Sequence, residues 1–258
     1  MFHMQTLKFN YENAKLKGIW HFSLPSGYTC PGAVNCKTFA DKMTGKIMDE
    51  QTPVDGQTFR CYAAMDEARY PSVRKARWHN FDLLKGAKSV AEKVKLIADS
   101  LPQALKRVGG ILRVHIGGDF FNYNYFRAWM KVAAMFPRVR FYAYTKSVKL
   151  LAQYLDEHKG LPSNFVFTCS RGGKYDNLIP STNVKSAKVF FSQDEVDALG
   201  LDTDHTDELA IFGTDDFALL IHGSQPSGST ASKALAANKK KGFKGYANTH
   251  APISKSLD

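Results

Sequence analysis

The sequence predicts an α/β chain in which parallel strands and helices alternate around a partial or complete (βα) barrel, beneath an irregular, cysteine-bearing N-terminal layer. Three observations predict it. Strand-like and helix-periodic runs alternate from residue 111 onward, the pattern of parallel βαβ units. The 258 residues, 44% of them hydrophobic, suit one α/β barrel with a sizeable core. The first 68 residues show no such period, yet three of the four cysteines lie there.

Taken in order, residues 1–68 offer only short strand-like pieces such as Gly18–Phe22 between loops rich in proline and glycine. From Pro71 to Leu101 the pattern turns helical: Val90, Ala91, Val94, Ile97, Ala98 and Leu101 recur at three- and four-residue spacing. Ser89 and Glu92 stand where a capping box would start a helix. Ile111–Ile116, Arg140–Thr145, Phe165–Cys169, Ala187–Phe191 and Phe217–Ile221 read as strands. Phe126–Phe136, Val148–His158, Asp194–Leu199 and Ser229–Lys240 read as the helices among them. No repeat or linker divides the chain. The expectation is one domain: an N-terminal layer over 1–68, a βα core over 69–241 and a basic tail over 242–258, with Lys239, Lys240, Lys241 and Lys244 at the join.

No apolar run approaches the ~18 residues of a membrane span, and the N-terminus has no apolar signal segment, so the expected location is the cytoplasm. The formal charge of +11 favours polyanions, which points to nucleic acid or an acidic host protein as a partner, against the plainer reading of a solvated basic surface. Arg69, Arg74, Lys75 and Arg77, beside Trp78, His79 and Asn80, form a basic and aromatic stretch. It reads as a nucleic-acid contact or, more simply, as a helix showing charge to solvent.

A cytosolic chain keeps its thiols reduced, so four cysteines point to metal rather than disulfides. Cys30 and Cys36 bracket Pro31 and Gly32 in a loop that can curl both sulfurs inward; Cys61 follows Phe-Arg, and Cys169 ends a strand. Four thiolates are the complement of a 4Fe–4S or 2Fe–2S cluster, and equally of an all-thiolate zinc site. With no Cys-x-x-Cys pair, the spacing leaves both metals open, as well as plain buried thiols.

The strand ends carry the other candidates. Alternation along Arg113-Val-His-Ile-Gly-Gly-Asp119 puts Arg113 and His115 on the lumen face and Val114 and Ile116 against the helices. Gly117 and Gly118 then let backbone approach a ligand, with Asp119 beside it. Thr145, Lys146 and Ser147 end the next strand, where they suit an anionic group. Ser170-Arg-Gly-Gly-Lys174 reads as a basic anion-binding turn, and His222–Thr230 as an anion site at a helix N-terminus. Asp202, Asp204, His205, Asp207 and Glu208 lack calcium-loop spacing and read as a surface turn.

The segments Ser-Leu-Pro-Ser-Gly-Tyr-Thr-Cys-Pro-Gly-Ala (23–33), Cys-Tyr-Ala-Ala (61–64), His-Ile-Gly-Gly-Asp-Phe-Phe (115–121) and Phe-Tyr-Ala-Tyr-Thr-Lys-Ser (141–147) resemble the phage gene-product-eighty-eight family. That resemblance covers roughly Leu16 to Gly245 and implies a phage protein without implying a reaction. More distantly, the chain is similar to radical-SAM proteins, which hold a cluster on three cysteines above a partial barrel. Gly117-Gly118-Asp119 resembles the Gly-Gly-Glu turn with which they bind the amino group of S-adenosylmethionine.

Three functions follow as expectations. The first is a redox, structural or sensing iron–sulfur protein with a 4Fe–4S cluster on Cys30, Cys36, Cys61 and Cys169. The second is a radical-SAM-like enzyme using the first three cysteines, with His115, Gly117, Gly118, Asp119 and Lys146 at the cofactor. The third is a zinc-stabilised nucleic-acid-binding module.

Overall fold

The computed structural model describes residues 5–13, 15–243 and 245–246. Most of the expected basic tail, Lys244 and 247–258, lies outside them. The N-terminal layer holds β1 (Asn10–Tyr11), β2 (Trp20–His21), a hairpin of β3 (Thr38–Ala40) and β4 (Ile47–Asp49), and α1 (Tyr62–Arg69). The helical stretch divides into α2 (Pro71–Gly86), α3 (Val90–Ser100) and α4 (Gln103–Val108). Pro71 opens α2 at a position where its missing N–H costs nothing, and Ser89 and Glu92 close the expected capping box on α3.

The alternating region is β5 (Gly110–Arg113), α5 (Tyr123–Met135), β6 (Val139–Thr145), α6 (Val148–Glu157), β7 (Phe165–Ser170), α7 (Ile179–Thr182) and β8 (Ser186–Phe190). It ends with α8 (Gln193–Asp197), α9 (Glu208–Phe212), β9 (Phe217–Leu220) and α10 (Thr230–Lys240).

Seven strands form a sheet in the order β1-β2-β5-β6-β7-β8-β9. All pair in parallel except β1, which runs antiparallel to β2. From β2 onward spatial order follows chain order, so all C-terminal strand ends open on one side. The sheet is open, with β1 and β9 as its edges. A complete barrel, one of the two forms expected, is therefore absent among the described residues.

One face of the sheet packs beneath α3, α5 and α6 through Leu112, Val114, Phe141, Ala143, Phe165 and Phe167, around fully buried Trp129. The other face carries Ile111, Tyr142, Ala187 and Phe217 against Leu16, Ile19 and α9. Strand alternation sorts these side chains. It breaks at the end of β5, where His115 takes a left-handed φ of 70°. His115 consequently turns to the helix-covered face, its ring against Phe120 and Nε2 at 2.8 Å from the Tyr125 hydroxyl. Ile116 goes to the opposite face, reversing the expected placement of this pair.

No described helix is long and apolar enough to cross a membrane. Trp129→Ala should remove the centre of the helix-side core and lower unfolding free energy by about 3–5 kcal/mol, read from the urea midpoint. A shift below 1 kcal/mol would show that another residue anchors this core.

Candidate functional site

A cavity of about 1040 Å³ opens at the C-terminal strand ends. Cys30, Cys36 and Cys61 line one part of it, together with Lys146 and the 117–119 turn; Arg113, Tyr62, Tyr144, Asp207 and His222 line another.

Several backbone contacts hold the cysteine loop. Gly32 sits so close to β6 that a Cβ there would fall 1.9 Å from the Lys146 carbonyl oxygen. The Gly32 carbonyl accepts from Lys174 N at 2.9 Å, and Asn35 N donates to Gly172 O at 3.2 Å. The Ser170–Lys174 turn is therefore no open anion site. Its Gly172 and Gly173 amides already donate to the Asp176 carboxylate at 2.7 and 2.9 Å, and the turn serves to seat the loop of Cys30 and Cys36.

Cys61 is the residue that caps the start of α1; its amide donates to Thr38 Oγ1 at 3.2 Å. The preceding residue is gripped by Gln225, whose Oε1 accepts from Arg60 N at 2.8 Å and whose Nε2 donates to Arg60 O. The segment expected to bind an anion at the start of α10 thus positions Cys61 instead, and Ser229 itself caps that helix.

All three thiols are partly exposed, to the cavity, while lying deep in the molecule. Burial pushes each of them up. The charges of Asp119, Cys61 and Cys36 add to the effect at Cys30. Lys146 opposes it at Cys36, and the Ala63 and Ala64 amides oppose it at Cys61, which reaches about 11.

Cys169 does not join them. Phe165, Phe167 and Cys169 alternate onto the helix-covered face, and the fourth thiol is fully buried there with Thr182 Oγ1 at 4.0 Å. Its neighbour Ser170 is the residue of this strand end that reaches the cavity. Of the four cysteines expected as ligands, three line the cavity and Cys169 does not.

Asp119 also departs from expectation. Its buried carboxylate accepts from Thr145 Oγ1 (2.7 Å) and from the amides of Phe120 (2.7 Å), Lys146 (2.8 Å) and Ser147 (3.1 Å). Filled by four protein donors, it staples the end of β5 to the end of β6 and is not left for a ligand's amino group. Gly118 turns at φ 83°, with Leu24 and Thr29 where a side chain would stand. The Gly117 carbonyl accepts from Leu24 N at 2.8 Å, and Gly117 lies against Arg77. Lys146 Nζ donates to Ser170 O at 3.2 Å and to Arg171 O, bridging β6 to β7 beside Cys36.

Two further groups were not foreseen. Asp207, placed by its sequence in a surface turn, is buried on the cavity floor. It accepts from Arg113 Nη1 and Lys15 Nζ, each at 2.5 Å, and from the Tyr142 hydroxyl at 2.9 Å. Burial opposes its charge, but Arg113 and Lys15 outweigh that and hold the carboxyl well below its usual range. In the basic stretch of α2, Arg77 is not solvent-facing either: its Nη1 meets buried Glu67 at 2.7 Å, and Arg74 donates to the Glu67 carbonyl. Local sequence carries no sign of partners so distant in the chain.

Burial lowers His115 to about 3 and His21 to about 4. Unfolded, both rings take up a proton below about 6.5; folded, they do so only near those lowered values. The stability they contribute is complete above pH 6.5 and is lost as the pH falls, by about 1.4 kcal/mol per pH unit per ring. His115→Asn should therefore remove about one proton from the slope of unfolding free energy between pH 6.5 and 5 in urea titrations. An unchanged slope would contradict a neutral, buried His115. Separately, Asp119→Asn swaps one acceptor oxygen for a donor facing donors and should cost about 2–4 kcal/mol in the same assay.

Residues 4–242 match the family model described as Gene product 88. Two curated relatives are the Gene 88 proteins of Mycobacterium phages D29 and L5, 33% and 32% identical over 104 residues. Those alignments take in 38% of this chain and 42% and 43% of the two relatives, so the chain spans about two fifths of their length. No solved structure matches the chain. With the family model spanning residues 4–242, the chain belongs to the Gene product 88 family.

Proposed function

We propose that this protein is an iron–sulfur protein whose cluster is held by Cys30, Cys36 and Cys61 at the cavity, leaving one iron open to a ligand from within it. The observation that carries this reading is the convergence of three cysteines on one cavity while the fourth is turned away. Three crowded thiols, all pushed up by burial, gain little from water or from hydrogen bonds. A metal centre that displaces their protons turns them into thiolate ligands. Lys146, beside Cys36, supplies positive charge that offsets part of the thiolate charge.

The donor set suits a cluster better than a lone zinc ion. All-thiolate zinc needs its sulfurs within about 2.3 Å of one metal. Cys169 is turned into the core, so no fourth thiolate completes such a site, and no group of three or more His, Cys, Asp or Glu among the described residues could hold a metal ion as it stands. A cluster instead distributes its cysteines over separate irons. When bound it supplies one-electron chemistry at the cavity, and the chain's own part is to fix the sulfurs and limit solvent around them.

The count of three favours a second reading, in which the open iron takes S-adenosylmethionine and the sequential parallel strands form a radical-SAM-like partial barrel. Such binding would have to use the 117–119 backbone and not the Asp119 carboxylate.

Anaerobically purified protein should be brown, absorb near ~400 nm and contain iron and acid-labile sulfide. Ala at position 30, 36 or 61 should abolish the colour, and Cys169→Ala should keep it. Colourless, iron-free protein, before and after reconstitution, would sink the reading. Calorimetry of the reconstituted protein with S-adenosylmethionine decides the second reading: heat that disappears in Cys61→Ala supports it, and no heat rejects it.

A further inference from the structure

We propose that His222 and the apolar wall beside it form a subsite for an uncharged heteroaromatic ring of the nucleobase class, with the imidazole as its hydrogen-bond partner. No cysteine forms part of this subsite, so it does not depend on a metal at the thiols.

The first argument is which polar groups at this end of the cavity are already satisfied. Arg113 and Lys15 both meet Asp207, and Asp204, packed behind, brings a second carboxylate within the field of Lys15. Two cations therefore face two carboxylates, and the floor calls for no charged ligand. Its hydroxyls are engaged as well: Tyr62 donates to the Ile116 carbonyl at 2.7 Å and Tyr142 donates to Asp207. His222 differs. It follows β9 directly, at the C-terminal side of the sheet, and lines the cavity. Among the described residues neither ring nitrogen has a hydrogen-bond partner, and neither is sealed from solvent, so the polar edge of the imidazole opens on the cavity. A polar ring so enclosed, with its nitrogens left to water, gains from a ligand that bonds to them.

The walls supply the second argument. Two rings fix the imidazole in place: Tyr62 at 4.8 Å and 41°, and Tyr246 at 4.7 Å and 83°. Val189 of β8, Leu219 of β9 and Ile221 just beyond it also line the cavity. A wall of aliphatic and aromatic carbon with an oriented polar edge favours a flat, uncharged ring over an ion or a sugar. Burial, with Lys15 and Arg113 nearby and only Asp207 opposing, lowers His222 to about 3. The neutral imidazole then offers an N–H donor on one nitrogen and an acceptor on the other. Nucleobases carry donors and acceptors side by side on one edge, so whichever nitrogen meets the ligand finds a match.

Isothermal titration of the full chain with adenosine, guanosine, cytidine and uridine tests the proposal, on protein as purified anaerobically and on protein stripped of iron. At least one nucleoside should bind, and to both preparations, which separates failure of this subsite from failure of the cysteine site. Its 5′-monophosphate should bind less than ~5-fold tighter, because the charges of the floor are balanced. His222→Phe keeps a ring between Tyr62 and Tyr246 but loses both nitrogens, and should weaken binding roughly 10-fold. His222→Gln restores a donor and an acceptor and should bind more tightly than His222→Phe. Tyr246→Leu removes one of the two rings that fix the imidazole, should weaken binding about 3-fold, and serves where His222→Phe fails to fold. The proposal is overturned if no nucleoside binds, if binding requires iron, or if the monophosphate binds ~5-fold tighter or more. It is overturned equally if whichever of His222→Phe and Tyr246→Leu folds binds as the unsubstituted protein does.

Discussion

The structure around the cavity depends on one buried carboxylate. Asp119 gathers four donors from the ends of β5 and β6, and its own amide donates to Thr29 Oγ1 at 3.3 Å. Thr29 in turn donates to the Pro25 carbonyl at 2.7 Å, one residue before Cys30 enters the cavity wall. A carboxylate in such a place is tolerable only when its lone pairs are filled. Because those donors come from separate strand ends, the same bonds that stabilise the charge fix the spacing of the strands and the seat of the cysteine loop. Close packing does the rest: Gly32 and Gly118 leave no room for a side chain, so the loop cannot shift outward or inward without breaking contact.

Much of the fold was legible because it rests on local signals. The periodicity of Val90–Leu101, the Ser89–Glu92 capping box and the alternation of strand and helix after residue 111 all survive in the structure. The convergence of Cys30, Cys36 and Cys61 was legible in part, since all lie in one irregular layer. The failures share a cause, namely side chains whose partners are far along the chain or whose strand ends early. Alternation carried through His115 assumed a strand that stops at Arg113, and a left-handed φ reversed the face. Alternation also hid Cys169, which sits in phase with Phe165 and Phe167 and so belongs to the core. Asp207 reads as a loop acid until Arg113, 94 residues away, is placed beside it. The glycine turn at 172–173 reads as an anion site because it is one, already filled by Asp176.

The basic composition takes on a different meaning in three dimensions. Arg74, Arg77, Arg113 and Lys146 are buried, and each meets a carboxylate or backbone carbonyls inside the protein. Part of the formal +11 is therefore internal, used to hold α1 against α2, Asp207 at the cavity floor and β6 against β7. A surface argument for polyanion binding built on net charge overstates what solvent sees.

The way the cysteines are held also bears on what a metal centre would do for the protein. In small zinc modules the site does not exist before the metal arrives, so binding drives folding. Here the chain around each sulfur is held by contacts that involve no cysteine side chain. Gln225 grips Arg60, Thr38 receives the Cys61 amide, Lys174 and Gly172 hold the Cys30–Cys36 loop, and the Asp119 staple lies beneath it. Little ordering of the backbone then remains for the metal to bring about. Burial keeps the thiols protonated, so a metal centre there would have to displace those protons. A centre bound there would be installed in a finished fold, free to differ in oxidation state or ligation while the sheet beneath it stays as it is.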